Sequence, residues 1–402
     1  MKKNLLDAYL RRYSEHIPSF AEWFTQQGLG PWQRYTVVPV CDECEDTPRL
    51  LASLVQAAQG WKVLLVFVLN QRQDAELAIR EGNRRWSYWL QTTLTGVRVC
   101  ASGWVGTLQG VDVAVIDCTT AQHMFPPKSG VGLARKLGMD FGVWLFAKGL
   151  LRTQWMSTTD ADALLPMDYF HPQAWEHPQE VAGMVFPYVH VNAPNMEVQR
   201  VLGGYQAMLD GYVDGLCRAG SPYAFHTLGS TIFSSVVGYV QVRGMPDLQA
   251  GEDFHFLCKL RKVGKIVGGD FTPIQLQARL SRRVPFGTGQ ALAEWVRTGR
   301  TSRPVYAPVL FEQLAILLRY CEGVLAGCAA TPVCIQDCRA VVATKFWEAF
   351  VQACVGVRVQ DFLNKTQATG LPVVQKRKRF HDWFDGLKTL RWLRLLRDSG
   401  VE

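Results

Sequence analysis

The sequence predicts an α/β protein, with a mostly parallel sheet flanked by helices and a C-terminal helical appendage. Three observations carry this expectation. Short apolar runs alternate with helical patterns from Tyr35 to about Asp160, the rhythm of βαβ units whose sheet is covered on both faces. Polar residues recur just after those runs, at the carboxyl strand ends where such sheets bind ligands. Beyond Gly289 strand signals fade and helical spacing takes over.

In chain order, Leu6, Leu10 and Tyr13, then Phe20, Trp23 and Phe24, fall at helical spacing. One or two short helices packed on the main body are expected before Gly28-Leu29-Gly30-Pro31 breaks them. Residues 35–40 read as a strand, 48–59 as a helix opening on proline, and 62–69 as a fully buried strand. Strands at 97–101 and 111–118 and a helix at 130–151 follow, then a strand running into Asp160. Strands at 183–191 and 224–234 flank a helix over 197–217, and another helix opens at Gly251-Glu252-Asp253. Helices at 310–325 and 340–355 and a terminal one complete the chain. The expected organisation is a helical segment over 1–34, a main domain over 35–289, and a helical region over 290–402 with a basic amphipathic tail.

Composition narrows the class. With 402 residues, 48% hydrophobic and 19% charged, the chain can bury a large core. The longest uninterrupted apolar run, 63–69, is far short of the ~20 residues a spanning helix needs. Met1-Lys2-Lys3-Asn4-Leu5-Leu6-Asp7 turns charged too soon for the core of a signal peptide, so a cytoplasmic location is expected. Eleven cysteines, an odd number spread over a long chain, fit reduced thiols better than a disulfide framework. Cys41-Asp42-Glu43-Cys44 has redox-motif spacing, but neither it nor the group Cys321, Cys328, Cys334 and Cys338 has a nearby histidine to complete a zinc site.

The last 27 residues, 376–402, hold eight basic and four acidic side chains, half of the chain's formal +8. Phe380, Trp383, Phe384, Leu387 and Leu390 lie on one face of the helix this stretch would form. Two readings follow: a helix lying in an anionic membrane surface, or one docked on its own domain with a solvated basic face. No nucleic-acid partner is expected.

The central chemical signal is Asp160-Ala161-Asp162, two carboxylates at a predicted strand end. Paired hard oxygen ligands suit Mg²⁺ or Mn²⁺, which keep positions open for substrate phosphates. A solvated acidic turn is the alternative for the pair taken alone. Glu252 and Asp253 open a helix, where negative charge is favoured either as N-terminal capping or as a functional pair. Asp42, Glu43, Asn70 and Asp117 stand at other strand ends.

Together these residues resemble the family-2 glycosyltransferases of GT-A fold. The likeness spans about residues 35–289 and rests on four pieces: the opening strand and acidic loop over 37–43; Lys128-Ser129-Gly130-Val131-Gly132-Leu133-Ala134-Arg135-Lys136; Asp160-Ala161-Asp162; and Gly251-Glu252-Asp253. His226-Thr227-Leu228-Gly229-Ser230 and residues 281–289 support it. Gly130 and Gly132 also begin like a dinucleotide fingerprint, but Arg135 takes the third glycine position and no strand leads into it. No P-loop is present in the sequence.

The resemblance implies transfer of a hexose from a UDP- or GDP-sugar to an acceptor hydroxyl of a glycan or lipid-linked glycan, in cell-envelope or polysaccharide synthesis. By that likeness Asp162 binds the metal and Asp160 reaches the metal or the ribose. Asp253 is the expected base of an inverting transfer, with Glu252 second. The donor would meet Pro39, Glu43, Asn70, Asp117, Lys128, Gly132, Arg135, Asp160, Arg282 and Arg283, while His226, Gly229 and Ser230 lie toward the acceptor. Asn70 stands where the family often has an acid for the base. A nucleotidyltransferase acting on a sugar phosphate and a non-catalytic nucleotide-sugar or partner-binding protein are the alternatives.

Overall fold

The computed structural model describes residues 3–193, 195–280, 288–299, 306–327 and 334–401. Chain contacts divide it into two units, Met1–Leu202 with Thr227–Gly299, and Gly203–His226 with Arg300–Glu402.

The first unit opens with α1 (Lys3–Arg12) and α2 (Pro18–Thr25), followed by β1 (Arg34–Val40), α3 (Thr47–Ala57) and β2 (Val63–Asn70). It continues through α4 (Leu77–Thr93), β3 (Thr95–Cys100), β4 (Gly103–Leu108), β5 (Val111–Cys118) and α5 (Val131–Ala147). Then come β6 (Trp155–Thr158), β7 (Ala163–Leu164), the single turn α6 (Pro172–Trp175), β8 (Val181–Val185) and β9 (Tyr188–Val191). Helix α7 (Met196–Arg218) leads into the second unit, and the first resumes with β10 (Ile232–Ser235), α8 (Val236–Gln241), α9 (Glu252–Val263), β11 (Lys265–Gly268), β12 (Ile274–Gln277) and α10 (Thr288–Thr298).

Nine strands form one sheet in the order β11-β8-β10-β6-β1-β2-β5-β4-β3. Only β4 and β10 run against the rest, so the expected mostly parallel α/β sheet flanked by helices is what the chain forms. Strands β1 and β2 are buried along their whole length, as apolar runs covered on both faces must be. Pro39 is tolerated in this central strand because of its register. Val37 turns its backbone toward β6, accepting from Thr159 N at 3.0 Å, so Pro39, two residues on, points past the end of β6 where no ladder bond is lost.

Helix α5 lies flat on this sheet because two glycines one turn apart leave no side chain between. A Cβ on Gly138 would stand 2.4 Å from Val37, and one on Gly142 would stand 2.6 Å from Met156. The first turn of α5 is thereby held beside the carboxyl end of β6. The N-terminal helices pack on this body: Phe20 and Phe24 lie against Phe141 at 5.4 and 5.1 Å between ring centroids. Fully buried Asp140 on α5 joins them, accepting from Tyr9 Oη at 2.5 Å, Glu15 N at 2.6 Å, Lys136 Nζ at 2.8 Å and Tyr239 Oη at 2.8 Å.

The strand expected over 183–191 divides at Phe186-Pro187. Its first half, β8, joins the main sheet, and its second half, β9, joins a three-stranded sheet of order β7-β12-β9. That small sheet pairs β12 antiparallel to β7, with Leu276 opposite Ala163, which brings the end of β12 against the Asp160–Asp162 loop.

The second unit is helical: the rest of α7, then α11 (Pro308–Leu325), α12 (Trp347–Gly356), α13 (Val359–Gln367), α14 (Val373–Trp383) and α15 (Gly386–Asp398). It therefore includes residues 203–226 from within the span expected to be one domain. The basic tail is two helices, not one, because Asp385 breaks the run and caps α15 by accepting from Lys388 N at 3.1 Å. Its apolar face is consumed inside the unit. Phe380, Phe384, Trp392, Leu393 and Leu396 are core residues, and Trp383 stacks on Phe362 with centroids 4.2 Å apart. Of the face proposed for membrane insertion, Leu387 alone is largely exposed, which removes the support for membrane contact. Among the described residues no helix is long and apolar enough to cross a membrane, and no disulfide joins the described cysteines.

Candidate functional site

Helix α9 begins at Gly251, whose φ of 76° is the left-handed conformation that glycine adopts without penalty. The two following residues face different surroundings. Glu252 is 2% exposed and receives a hydrogen bond from Arg135 Nη1, whereas Asp253 is only partly covered. Arg135, in the first turn of α5, also donates through Nη2 to Asp160 Oδ1 at 2.5 Å. One guanidinium thus joins the acids of two motifs that are distant in sequence. Its own side chain is 4% exposed, and its charge is secured by Asp160, Glu252 and Asp253, whose attraction outweighs the cost of burial.

This placement changes the expected roles. Arg135 is buried between two carboxylates and does not reach out toward a diphosphate. Glu252, closed in beneath it, is its buried ion-pair partner. For Asp253, burial and then the Glu252 charge raise the pKa from 3.8 to about 7, against the lowering effect of Arg135.

Gly132 was expected among the donor contacts, in the same stretch as Gly130. The space beside them is filled by the protein itself. A Cβ on Gly132 would stand 2.5 Å from Pro246 O and 2.6 Å from Leu248 O, and one on Gly130 would stand 3.1 Å from Gln249 Cα. Gly132 N donates to Leu248 O at 3.1 Å, Ser129 Oγ to Asp247 Oδ2 at 2.8 Å, and Gln249 Nε2 to Pro127 O at 2.8 Å. These contacts strap the segment before Gly251 onto α5 and so fix where Glu252 and Asp253 stand. Lys128, in the stretch that leads into α5, is exposed.

Asp162 pairs with a residue the motif reading missed. Arg279, just past β12, directs Nε to Asp162 Oδ2 at 3.0 Å, shares Nη1 between Glu43 Oε2 and Asp46 Oδ2 at 2.8 Å each, and gives Nη2 to Glu43 Oε1 at 2.9 Å. Burial raises the pKa of Asp162 to about 7, Arg279 opposes that rise, and the charges of Asp160, Glu43 and Asp46 add to it. One cluster therefore gathers Glu43, Asp46, Asp160, Asp162, Glu252 and Asp253 around two guanidiniums. Arg282 and Arg283 lie outside the described residues.

Among the described residues no group of three or more His, Cys, Asp or Glu is arranged to hold a metal by itself. Two neighbouring carboxylates with an excess of negative charge still fit Mg²⁺ or Mn²⁺, which are commonly held by one or two carboxylates and completed by substrate phosphates and water.

Asn70 and Asp117 stand at the ends of β2 and β5. Asn70 is 8% exposed and spends its amide N–H on Val40 O at 2.8 Å, leaving its side-chain oxygen as the acceptor. Asn83, also missed, donates to Asn70 O at 3.1 Å and accepts from Asp42 N at 2.9 Å, tying α4 to the ends of β1 and β2. Asp117 accepts from Thr119 N and Oγ1 at 2.9 and 2.7 Å, closing a turn. Beside these strand ends lies an opening of about 380 Å³, lined by Gln71, Asn83, Arg80, Arg84 and Thr119 among others.

The acceptor-side residues are not gathered as expected. Gly229 is buried, and a Cβ there would stand 2.3 Å from the Arg135 guanidinium; Ser230 is 2% exposed. Both therefore pack behind the site. His226 belongs to the second unit, where it faces Asp210 at 3.4 Å and burial lowers its pKa.

No protein-family model matches the chain, and no curated protein matches it. Among solved structures it is similar to S. aureus TarS 1-349, at 12% identity over 91% of each chain with a TM-score of 0.34. It is also similar to M. tuberculosis glucosyl-3-phosphoglycerate synthase, at 12% identity over 71% of this chain and 85% of that one, with a TM-score of 0.31. A third is a mycobacterial protein, at 10% identity over 61% of this chain and 65% of that one, with a TM-score of 0.30.

Proposed function

We propose that this protein is a glycosyltransferase that moves a sugar from a UDP- or GDP-sugar to an acceptor hydroxyl on a glycan or lipid-linked glycan. The observation that carries the reading is the convergence of Asp160 and the Glu252-Asp253 pair on one buried guanidinium, Arg135, at the carboxyl end of a parallel sheet. An acid pair for a diphosphate-bound metal and a carboxylate poised near neutrality are the two things such a transfer needs.

In this reading Asp160 and Asp162 would hold Mg²⁺ or Mn²⁺, which would supply Lewis-acid stabilisation to the departing diphosphate. Asp253 accepts the proton of the acceptor hydroxyl as its oxygen bonds to the anomeric carbon. The bond from that carbon to the diphosphate breaks on the opposite face, the nucleoside diphosphate leaves with the electron pair, and the configuration inverts. Arg135 sets the position of the base through Glu252 and of the acid pair through Asp160. The acceptor oxygen of Asn70 and the backbone edge at Pro39 and Glu43 would face the nucleoside. A cytoplasmic setting and a role in envelope or polysaccharide synthesis belong to the same proposal.

The test is a panel of sugar nucleotides incubated with the protein and Mn²⁺, with chelator as control. Metal-dependent release of one nucleoside diphosphate supports the reading. No binding or turnover of any UDP- or GDP-sugar, at any metal concentration, would refute it.

A further inference from the structure

Both arginines of the pocket are ion-paired, but they are held in different ways. Arg135 is 4% exposed and locked between Glu252 and Asp160. Arg279 is 32% exposed, and its three nitrogens are spread over Glu43, Asp46 and Asp162, on two separate loops, at 2.8 to 3.0 Å. A buried guanidinium cannot leave without stranding its partners, whereas a solvent-accessible one can exchange them for water or another anion. Arg279 is also positioned by the small sheet rather than by the main one, since the pairing of β12 with β7 sets it beside Asp162.

The charge balance gives this difference a consequence. Five carboxylates, those of Glu43, Asp46, Asp160, Asp162 and Glu252, are ion-paired to only two guanidiniums, so acids outnumber cations in the cluster and an unaccompanied diphosphate is disfavoured there. A divalent ion corrects this, yet the carboxylate expected to bind it, Asp162, already holds Arg279. A positive side chain 3.0 Å from a ligand oxygen competes with the ion for the same lone pairs.

We propose that Arg279 is the resident counter-cation of the donor pocket, a positioning residue that the divalent ion displaces from Asp162 when ion and nucleotide bind together. The inference rests on the glycosyltransferase reading and deepens it. In the resting protein Arg279 neutralises Asp162 and ties the Asp160–Asp162 loop to the loop bearing Glu43 and Asp46. The arriving nucleotide brings phosphates that complete the ion's coordination and offer the released guanidinium a new anionic partner. The ion alone offers Arg279 no such partner, so it binds weakly; ion and nucleotide together bind cooperatively.

The experiment measures Mn²⁺ binding to the full chain by electron paramagnetic resonance and calorimetry, with and without UDP or GDP, for wild type, Arg279→Gln, Arg279→Lys and Asp162→Asn. Arg279→Gln should bind Mn²⁺ without nucleotide at least tenfold more tightly than wild type, and its cooperativity with nucleotide should shrink. Arg279→Lys, which keeps the charge, should stay near wild type. Should Arg279→Gln melt early, Mn²⁺ alone should raise its Tm by more than it raises that of wild type; no such rise counts against the proposal. Equal or weaker Mn²⁺ binding by Arg279→Gln, while Asp162→Asn still lowers binding, overturns the role of Arg279 and leaves the metal reading standing. Mn²⁺ binding that is indifferent to Asp162→Asn, even with nucleotide, overturns both.

Discussion

Replacing Asp253 by asparagine separates catalysis from stability in a way few substitutions would. The carboxyl group keeps a pKa of about 7 in the folded protein against an unperturbed value of 3.8, because burial and the adjacent Glu252 charge disfavour its ionised form. At low pH the group is protonated in both folded and unfolded chains and costs nothing. As pH rises from about 4 to about 7 the unfolded chain loses its proton first, so folding is progressively weakened, and above 7 the full cost is present. At about 1.36 kcal/mol per unit, the ceiling is about 4 kcal/mol. Relaxation of neighbours around the new amide brings the expected gain from Asp253→Asn to about 1–2 kcal/mol at pH 8. That gain should vanish near pH 3.5, and transfer should fall by ~10²–10⁴-fold through loss of the base. Urea denaturation at the two pH values, with turnover measured on the same samples, checks both. In the wild type turnover should rise as pH climbs through about 7. A variant that is destabilised equally at both pH values, or that turns over normally, would refute the assignment.

Other perturbations test the scaffold around that carboxylate. Arg135→Ala leaves Glu252 buried without its counter-charge and should cost about 3–5 kcal/mol, read as a fall in the urea midpoint. Gly132→Ala drives a methyl group into the backbone of residues 246–248 and should cost about 1–3 kcal/mol. By displacing the segment before Gly251 it should lower kcat more than donor affinity in steady-state assays. Phe380→Ala opens a cavity in the helical unit and should cost about 3–5 kcal/mol in that unit's unfolding transition. The full chain should not co-float with anionic liposomes, because the apolar face of the tail is packed inside its own unit; flotation that depends on residues 376–402 would contradict this.

How much of this was legible in the sequence depended on the range of the signal. The β1-α3-β2 unit and the buried strands could be read because burial on both faces writes itself as an unbroken apolar run. Asp160, Asp162, Glu252 and Asp253 could be read because short motifs keep their acids adjacent. What could not be read were the partners across space. Asn83 sits mid-helix with no local cue, although Gly82 beside it is a hint: a Cβ there would stand 1.9 Å from Asp42. Arg279 has a weak signal in the alternation of Ile274, Leu276 and Ala278 that leads to it, but no local motif marks it. The glycines at 130 and 132 show the opposite error. The likeness placed Gly132 against the donor, but the group that comes close to it is the protein's own backbone. The division of residues 183–191 between two sheets was equally hidden, since a strand that changes sheets keeps its apolar content.

The way residues 203–226 join the helical unit has a practical consequence. Gly215 lies against Phe311, where a Cβ would stand 2.5 Å from the ring, so the C-terminal part of α7 is shaped to receive α11. Cutting the chain after residue 299 would strip the cover from Leu216 and Ala219 and leave a sticky stump in the middle of the remaining fragment. A well-behaved excised α/β unit requires that residues 203–226 be removed as well, with a linker joining Leu202 to Thr227.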